Sequence, residues 1–458
     1  MLALRRVLVP LLTLAILALA SIPAAATERR AFVSPQVALD WNLNAVNVVR
    51  AFKWPAGSAT PGAAYFQTEG LIYMSYVQAA VYDAVTKISG RYVPYHSFSA
   101  NTDGASAEAA VIEATYQTLL NYQGDVVVNT TSLTYKRNLA LDALPAAGRA
   151  QGKAVGAAAA SDLIALRATD GRNGVGTNCP YIPQPVAAGV WQAPSNGAQT
   201  PWVACMKPFL LRNAAQFRIG PPPSLMSTRY TADFNETKAY GGAAVTTLRT
   251  AAQQETAFFW TMNVINQENQ TLRNTATQYG MDLVETVRLL AMGELVATDS
   301  AIACFDSKYH YLFWRPYVSI PGAGTDNNPL TVADPSWTPV GGATPNHPEY
   351  PSAHGCVTGA SANVLAKALH TQNINVTIPG AIEGSMTLTT RTFATVNDVT
   401  SQIIDARVWV GFHYRFSDVN GVKLGTNVAR WALNHYFRPS RGGNDDNGDG
   451  DNNDQNDD

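Results

Sequence analysis

Apolar residues recur at three- and four-residue intervals through most of this 458-residue chain, which is the spacing of an amphipathic α-helix. The clearest case is residues 68–87, TEGLIYMSYVQAAVYDAVTK. No stretch alternates apolar and polar residues in the manner of a half-buried strand. We therefore predict an all-α fold of two packed helical bundles with long irregular connectors.

The same periodicity places further helices along the chain, separated by two long loop regions. Gly, Pro, Asn and Trp dominate 170–227, and turn residues are frequent in 321–351. We predict an N-terminal bundle and Pro/Gly-rich connector at 27–227, serving as scaffold, and a C-terminal bundle at 228–440 that carries the functional site. The remaining predicted helices are 105–121, 132–167, 230–248, 253–266, 281–314, 352–369, 396–409 and 421–437.

The charge of the chain is unevenly distributed. The formal net charge is -2, but the last eighteen residues, 441–458, hold seven aspartates and one arginine, which leaves the rest at +4. A net charge this small does not indicate a surface that binds nucleic acid, so we predict no nucleic-acid partner. The tail has no apolar residue, so we expect it to be disordered. Asp445, Asn447 and Asp449 fit the start of a calcium loop, but Asn456 replaces the final glutamate, so a weak calcium site or a purely solubilising tail is predicted.

The first 26 residues have the three parts of a secretory signal peptide. Arg5 and Arg6 precede an apolar segment at 7–21, and small residues follow it. The apolar segment is short for a membrane helix, which needs roughly 20 residues, and no later segment is long enough to serve as an anchor. We expect general export rather than a twin-arginine route, with a secreted or periplasmic mature chain.

Export permits disulfides, and the chain has four cysteines. Cys179 and Cys205 flank the Pro/Gly-rich connector, so a bond between them is the preferred pairing. Cys304 and Cys356 lie in helical sequence and are either buried thiols or a second bridge.

Residues 347–355, HPEYPSAHG, place two imidazoles and a hydroxyl just before a predicted helix. Ser352 is in the capping position, and the free N–H groups of a helix start favour an anion. The alternative is that Ser352 only caps the helix and that His347 and His354 are surface residues.

Two other segments carry cations. Lys308 and Arg315 are seven residues apart, which on a helix returns to within about 20° of the same face, and Pro316 predicts a helix end at Arg315. Their aromatic surroundings would make two buried cations costly without an anion, although a solvated face is the simpler alternative.

Arg407 and His413 are six residues apart, about 120° around a straight helix, so a break is needed for both to face one ligand. Gly411 is the candidate breaker. An ordinary helix with a surface arginine and a core histidine is the alternative. Together, the three segments suit a tetrahedral oxyanion, phosphate or vanadate, with one imidazole bonding the central atom and another transferring a proton.

These segments resemble the K-x6-R-P, P-S-G-H and S-R-x5-H motifs of the vanadium-dependent haloperoxidases and of the related type 2 phosphatidic acid phosphatases and bacterial acid phosphatases. They stand here, in the same order, as 308–316, 351–354 and 406–413. Other stretches, including EGLIYMSYVQAAVYDAV and RNAAQFRIGPPPS, resemble the secreted haloperoxidase branch.

The resemblance implies a role for each matching residue. His413 would be the vanadate ligand or the phosphohistidine nucleophile, His354 the general acid or base, and His347 a halide-site residue of the bromoperoxidase type. Lys308 would assist His354 in catalysis as well as bind the oxyanion. The implied oxyanion-binding residues are Lys308, Arg315, Ser352, Ala353 and Arg407.

The chain departs from the family motifs at three positions. Ala353 replaces a glycine, Ala406 replaces a serine, and Ser417 stands where the family has an aspartate. The motif therefore does not identify the carboxylate that orients an imidazole. The candidates are Asp306, Glu349, Asp405 and Asp418.

The resemblance implies a secreted vanadate-dependent enzyme that oxidises a halide, bromide in the first place, with hydrogen peroxide in the presence of a small organic acceptor. An acid phosphatase with phosphate in the same site and a non-catalytic oxyanion-binding protein are the alternatives.

Overall fold

The computed structural model describes residues 33–53, 63–174, 179, 181–195, 197–244, 247–383 and 388–440. The described residues from Ser34 onward form one compact unit, and the predicted boundary between bundles at residues 227 and 228 stays a prediction. The predicted signal peptide and the acidic tail with its calcium site lie outside the described residues. Among the described helices, none is long and apolar enough to cross a membrane.

Helices dominate the described residues, which confirms the predicted all-α class. In chain order they are α1 (Gln36–Ala51), α2 (Gln67–Ser89), α3 (Ala107–Gln123), α4 (Leu133–Asp142), α5 (Arg149–Leu166), α6 (Thr228–Gly241), α7 (Ala251–Phe259), α8 (Val264–Gln278), α9 (Leu283–Tyr311), α10 (Pro316–Ser319), α11 (Ala353–Ala368), α12 (Val396–Trp409) and α13 (Arg415–His435).

Two antiparallel hairpins and α1 were not identified from the sequence. The hairpins join β1 (Val127–Val128) to β2 (Thr131–Ser132) and β3 (Val376–Ala381) to β4 (Leu388–Phe393). Four of the six residues of β3 are buried, three of them in succession, so this strand shows no alternation. It lies against α8, where the Gln267 side chain donates to the Pro379 carbonyl oxygen at 2.8 Å.

Two predicted helices are each interrupted. The stretch 132–167 divides into α4 and α5, because Pro145 between them has no N–H and Gly148 takes φ 72°. The stretch 253–266 divides at the turn between α7 and α8.

The 29-residue helix α9 runs through the core of the fold. Every residue from Leu289 to Lys308 is buried, and the helix packs against α2 and α11. Its start is fixed by a capping box in which Asp282 and Glu285 each accept the other's backbone N–H, at 2.8 and 3.0 Å. The last turn of this buried helix carries Lys308.

Glycines allow α11 and α13 to approach each other closely. A Cβ on Gly421 would lie 2.6 Å from the Ser352 carbonyl oxygen, and one on Gly425 would overlap the Cys356 carbonyl oxygen. The contacts follow the same order along both helices, so the helices are parallel and begin at the same end of the fold.

The cysteines are as preferred from the sequence. Cys179 and Cys205 form a disulfide, which confirms the predicted pairing. Cys304 and Cys356 are buried free thiols, one of the two states that the sequence left open.

Gly425→Ala is expected to lower the free energy of unfolding by about 1–3 kcal/mol, because the methyl group must push α13 away from α11. Alanine otherwise favours a helix interior over glycine by about 1 kcal/mol, so a net loss reports the helix contact. Chemical denaturation measures the difference. Gly324→Ala is the control, since its methyl group would meet nothing within 4 Å; equal stability of the two variants would contradict the close approach.

Candidate active site

Six of the eight residues that the sequence predicted for the site line one cavity. It is lined by the starts of α2, α8 and α11, the end of α12, and the loops that precede α11 and α13. The other two residues, Lys308 and Ser352, are fully buried behind this lining. The predicted residues that line the cavity are Arg315, His347, Ala353, His354, Arg407 and His413.

Lys308 and Arg315 converge through a turn. The prediction that they share one helical face is wrong, because α9 ends at Tyr311 and Leu312 takes φ 49°. Arg315 is the extended residue before Pro316 at the start of α10, which confirms the predicted helix end. The turn brings Arg315 back toward the 347–349 loop, where Lys308 also binds.

Backbone carbonyl oxygens hold both of these cations. The Lys308 ammonium donates to the carbonyls of Pro348 and Glu349, each at 2.9 Å. The Arg315 guanidinium donates from Nε to the His347 carbonyl at 2.8 Å and from a terminal nitrogen to His347 Nδ1 at 3.0 Å. None of these four bonds places a carboxylate against the positive charge.

Gly411 is the break that the sequence predicted between Arg407 and His413. Helix α12 ends at Trp409 and Gly411 takes φ 81°, a conformation that glycine adopts without strain. The Arg407 guanidinium lies 5.0 Å from the Phe412 ring centroid. It donates to the Trp260 carbonyl at 3.4 Å, while its buried Nε has no partner among the described residues.

Glu349 is the carboxylate that orients His413. Its Oε1 accepts the His413 Nδ1 hydrogen at 2.8 Å and the backbone N–H of Tyr414 at 3.1 Å. An Nδ1–H proton leaves the lone pair of the ring on Nε2. Because His413 lines the cavity, this ring nitrogen is available to bond an electron-poor atom there.

Two of the other candidate carboxylates pair with arginines that do not line the cavity. Asp306 accepts two hydrogen bonds from Arg218, at 2.6 and 2.7 Å, and Asp405 pairs with Arg415 at 2.8 Å. The third, Asp418, is fully buried, lies beside Ser352 and acts electrostatically on Arg407.

The start of α11 contributes backbone N–H groups to the lining of the cavity. Ser352 Oγ accepts the Gly355 N–H at 3.3 Å, so Ser352 caps the helix as predicted. Ala353 and His354 are the first two helical residues and line the cavity. His354 Nε2 is buried and has no partner among the described residues.

Burial weakens the proton affinity of the cations. It lowers the pKa of Lys308 to about 8 and the pKa of Arg315 and of Arg407 to about 10. Desolvation disfavours each charged form, and repulsion from Arg315 adds to the effect at Lys308 and Arg407. An anion in the cavity would reverse this effect, so the charge distribution calls for one.

The three histidines are neutral for the same reason. Burial, followed by repulsion from the surrounding arginines and Lys308, holds the pKa of His347, His354 and His413 well below the usual value. Burial also raises the pKa of Glu349 to about 7.

The sequence analysis missed the cavity wall that comes from the N-terminal part of the chain. Phe66, Gln67, Thr68 and Leu71, at the start of α2, line the same cavity as the predicted residues. No motif marks them, because a helix start of ordinary residue types carries no sequence signal for a distant site. Only the packing of α2 against α9 brings them there.

Comparisons with known proteins agree with this architecture. Residues 288–442 match the family model of the VCPO second helical-bundle domain. A bacterial vanadium-dependent iodoperoxidase is similar with a TM-score of 0.71 and 20% identity, covering 88% of this chain and 97% of that one. No curated protein matches the chain.

Two structures of bacterial vanadium-dependent chloroperoxidase are also similar. The holo form has a TM-score of 0.62 and 17% identity, covering 80% of this chain and 91% of that one. The apo form has a TM-score of 0.65 and 17% identity, covering 85% and 96%. These likenesses confirm the predicted resemblance and the haloperoxidase-like helical fold.

The affinity for a tetrahedral dianion is expected to fall as the pH rises above about 8. A bound anion raises the pKa of Lys308, so the complex holds this proton more tightly than the free protein does, and affinity declines by up to tenfold per pH unit. Calorimetric titration with molybdate, whose charge is constant above neutral pH, measures the slope. Lys308→Met should flatten the part of the slope above about pH 8, and an unchanged slope would contradict the assignment.

His413 is expected to be neutral with its proton on Nδ1, where Glu349 accepts it. Burial and repulsion from nearby cations lower the pKa of the ring, and Glu349 selects the tautomer. Long-range proton–nitrogen NMR correlations of the ring identify the protonated nitrogen. Glu349→Ala should release His413 to the other tautomer, and a proton on Nε2 in the native protein would refute this geometry.

Proposed function

We propose that this protein is a vanadate-dependent haloperoxidase that uses hydrogen peroxide to oxidise a halide, with bromide preferred. The observation that carries the proposal is an unpartnered, buried guanidinium nitrogen of Arg407 in the cavity that His413 also lines, with Nδ1 of His413 bonded to Glu349. The guanidinium nitrogen favours an anion, and the Nε2 lone pair of His413 suits an electron-poor central atom. Vanadate combines both properties, and the similar structures named as vanadium-dependent iodo- and chloroperoxidases support it over phosphate.

The cavity residues fit such an oxyanion. Arg315 and Arg407 would offset its charge, and the free N–H groups at Ala353 and His354 would donate to its oxygens. His413 would bond the central atom through Nε2. Bound vanadate supplies a Lewis-acid centre that activates hydrogen peroxide toward a halide.

Lys308 is buried and does not line the cavity, so its effect on a bound oxyanion would be indirect. Its ammonium is held by the carbonyls of Pro348 and Glu349, so it adds positive charge to the cavity and fixes the loop that carries His347. Ser352 caps α11 and holds the Ala353 and His354 N–H groups in place.

His354 is positioned to deliver a proton. Hydrogen peroxide, bromide and one proton give hypobromous acid and water, so each turnover consumes a proton. His354 lines the cavity with an unpartnered Nε2. A bound anion would raise the low pKa of this ring, so the ring would take a proton from solvent and then give it to the departing oxygen. A small organic acceptor would then take the bromine from hypobromous acid.

We also propose that the chain is exported with the removal of residues 1–26. The disulfide between Cys179 and Cys205 supports this proposal, because disulfides persist in oxidising compartments.

Protein incubated with orthovanadate is expected to brominate a phenol dye in the presence of bromide and hydrogen peroxide. His354→Ala should lower kcat by about 10²- to 10⁴-fold, and His413→Ala should abolish both bromination and vanadate binding. His435→Ala is the control, since His435 is exposed and outside the cavity.

Two other results would replace the proposal. Hydrolysis of an aryl phosphate without vanadate, in the absence of bromination, identifies an acid phosphatase with His413 as nucleophile. If neither reaction occurs but phosphate raises Tm, the protein is an oxyanion-binding protein.

A further inference from the structure

A second, smaller cavity adjoins the cavity of the candidate active site. It lies between α8 and α11 and has a volume of about 30 Å³, enough for one or two water molecules. Val264 and Val357 line both cavities, so the two cavities meet at these side chains. None of the residues assigned above to the oxyanion site is among the described residues that line the smaller cavity.

The two cavities follow the same face of α11. His354 lines the larger cavity and Ser361 lines the smaller one. Their separation of seven residues is two helical turns, about 10 Å, and returns to within about 20° of the same face. Val357 lies between them, at the junction of the cavities. A short chain of water molecules would span the distance from the smaller cavity to the His354 ring.

Glu268 contributes a carboxyl group to the smaller cavity. The residue is 7% exposed, and its buried Oε1 has no hydrogen-bond partner among the described residues. Buried polar atoms are normally bonded to protein or to ordered water, and this cavity has room for water. The carboxyl group is therefore placed to exchange a proton with water.

A second carboxyl group lies close to the first. Glu294, on α9, is fully buried, and within the described part of the chain neither of its carboxyl oxygens has a partner. It interacts electrostatically with Glu268 and with Arg273 on α8. Two negative charges in one buried site would repel each other, so the pair of carboxyl groups keeps at least one proton near neutral pH.

Burial suits Glu268 to proton exchange at neutral pH. It raises the pKa of this carboxyl to about 7, and a polar contact with Ser361 opposes the rise. Burial, followed by the charge of Glu268, raises the pKa of Glu294 well above its usual value. The described residues of α11, α12 and β3 that line the cavity do not titrate. An acid whose pKa is near the ambient pH can both give and take a proton.

The active-site cavity itself is a poor route for protons. Its volume is about 50 Å³, and the oxyanion and the substrates would occupy it during the reaction. Arg315 and Arg407 line it, so a proton that enters there approaches two positive charges. A route along α11 passes apolar side chains and a carboxyl group instead.

We propose that Glu268 supplies the proton that His354 delivers in each turnover, through water molecules at the junction of the two cavities. This inference rests on the proposed haloperoxidase function, which consumes one proton for each halide oxidised. The O–H bond of the Glu268 carboxylic acid breaks, the proton moves along the water chain to the His354 ring, and a carboxylate remains. The carboxylate then regains a proton from solvent. Glu268 therefore acts through His354 and does not touch the substrates.

The proton on Glu268 can be measured without turnover. The infrared C=O stretching band of its carboxylic acid should disappear as the pH rises through about 7, because a carboxyl is protonated below its pKa and ionised above it. Glu268→Gln should remove this band. In the native protein the band should shift within seconds of dilution into heavy water, since water in the cavity exchanges the proton.

Thr275→Val is the control for these spectra. Thr275 is a buried residue of the same helix whose hydroxyl donates to the Thr271 carbonyl at 2.8 Å, and it does not line the cavity. The band should be unchanged in this variant. A band that depends on Glu268 but keeps its hydrogen for hours in heavy water would overturn the inference, because the carboxyl would then have no contact with water.

Turnover tests the transfer to His354. With saturating hydrogen peroxide and bromide in dilute buffer, Glu268→Gln should lower kcat about tenfold or more, with the KM for bromide close to the native value. Added imidazole should restore much of the lost rate by carrying protons from solvent. Glu268→Asp keeps a carboxylic acid and should lose less activity. A purely structural role predicts a loss of kcat that imidazole does not restore.

Ser361→Ala tests the same residue through its pKa. The contact with Ser361 lowers the pKa of Glu268, so the alanine variant should raise it and move the alkaline fall of kcat to higher pH. Glu349 also has a pKa of about 7, but it is bonded to His413, so its titration should not respond. This small change also serves if Glu268→Gln does not fold. An alkaline fall that stays in place would contradict the proposal.

The two proposals can fail separately. A carboxylic acid band that depends on Glu268, titrates near pH 7 and exchanges rapidly, in a protein that brominates nothing, supports the proton position and refutes the haloperoxidase. Bromination with the same kcat in the native protein and in Glu268→Gln, at every buffer concentration, supports the enzyme and refutes the proton supply from Glu268.

Discussion

Three buried cations around one cavity are the constraint on which the rest of this structure depends. Lys308, Arg315 and Arg407 are each at most 2% exposed, and carbonyl oxygens are their main partners. Glu349, whose charge acts on Lys308 and Arg315, is hydrogen-bonded to the His413 ring. The fold therefore keeps three positive charges in a buried site, and an anion would offset the free-energy cost of their burial on binding.

The helices that hold these groups are positioned by packing contacts outside the cavity. Helix α9 is buried along most of its length and presents Lys308 at its end. Glycine contacts keep α11 and α13 parallel, so the Ser352 cap and the loop with His413 stay at the same end of the bundle. The 347–349 loop joins them, because it binds Lys308 through carbonyls and His413 through a carboxylate.

The sequence predicted which residues belong to the site better than it predicted how they meet. Residue types and motif order identified Arg315, Arg407 and His413, and the Gly411 break followed from helical geometry. The helical-face argument for Lys308 and Arg315 failed, because spacing alone does not reveal the turn at Leu312. Spacing also could not choose among the candidate carboxylates, since the choice of Glu349 depends on where two loops meet. The cavity residues at the start of α2 were not identified from the sequence, because their ordinary side chains come to line the cavity only through the packing of the helix.

The bond between Glu349 and His413 gives the cavity a direction. Glu349 accepts the Nδ1 hydrogen of His413, so the electron pair of this ring lies on Nε2. An electron-poor species would therefore be held on the side of the cavity that His413 forms before its reaction partner arrives. Order in the reaction would then be set by a resting proton position of the protein rather than by movement of the chain.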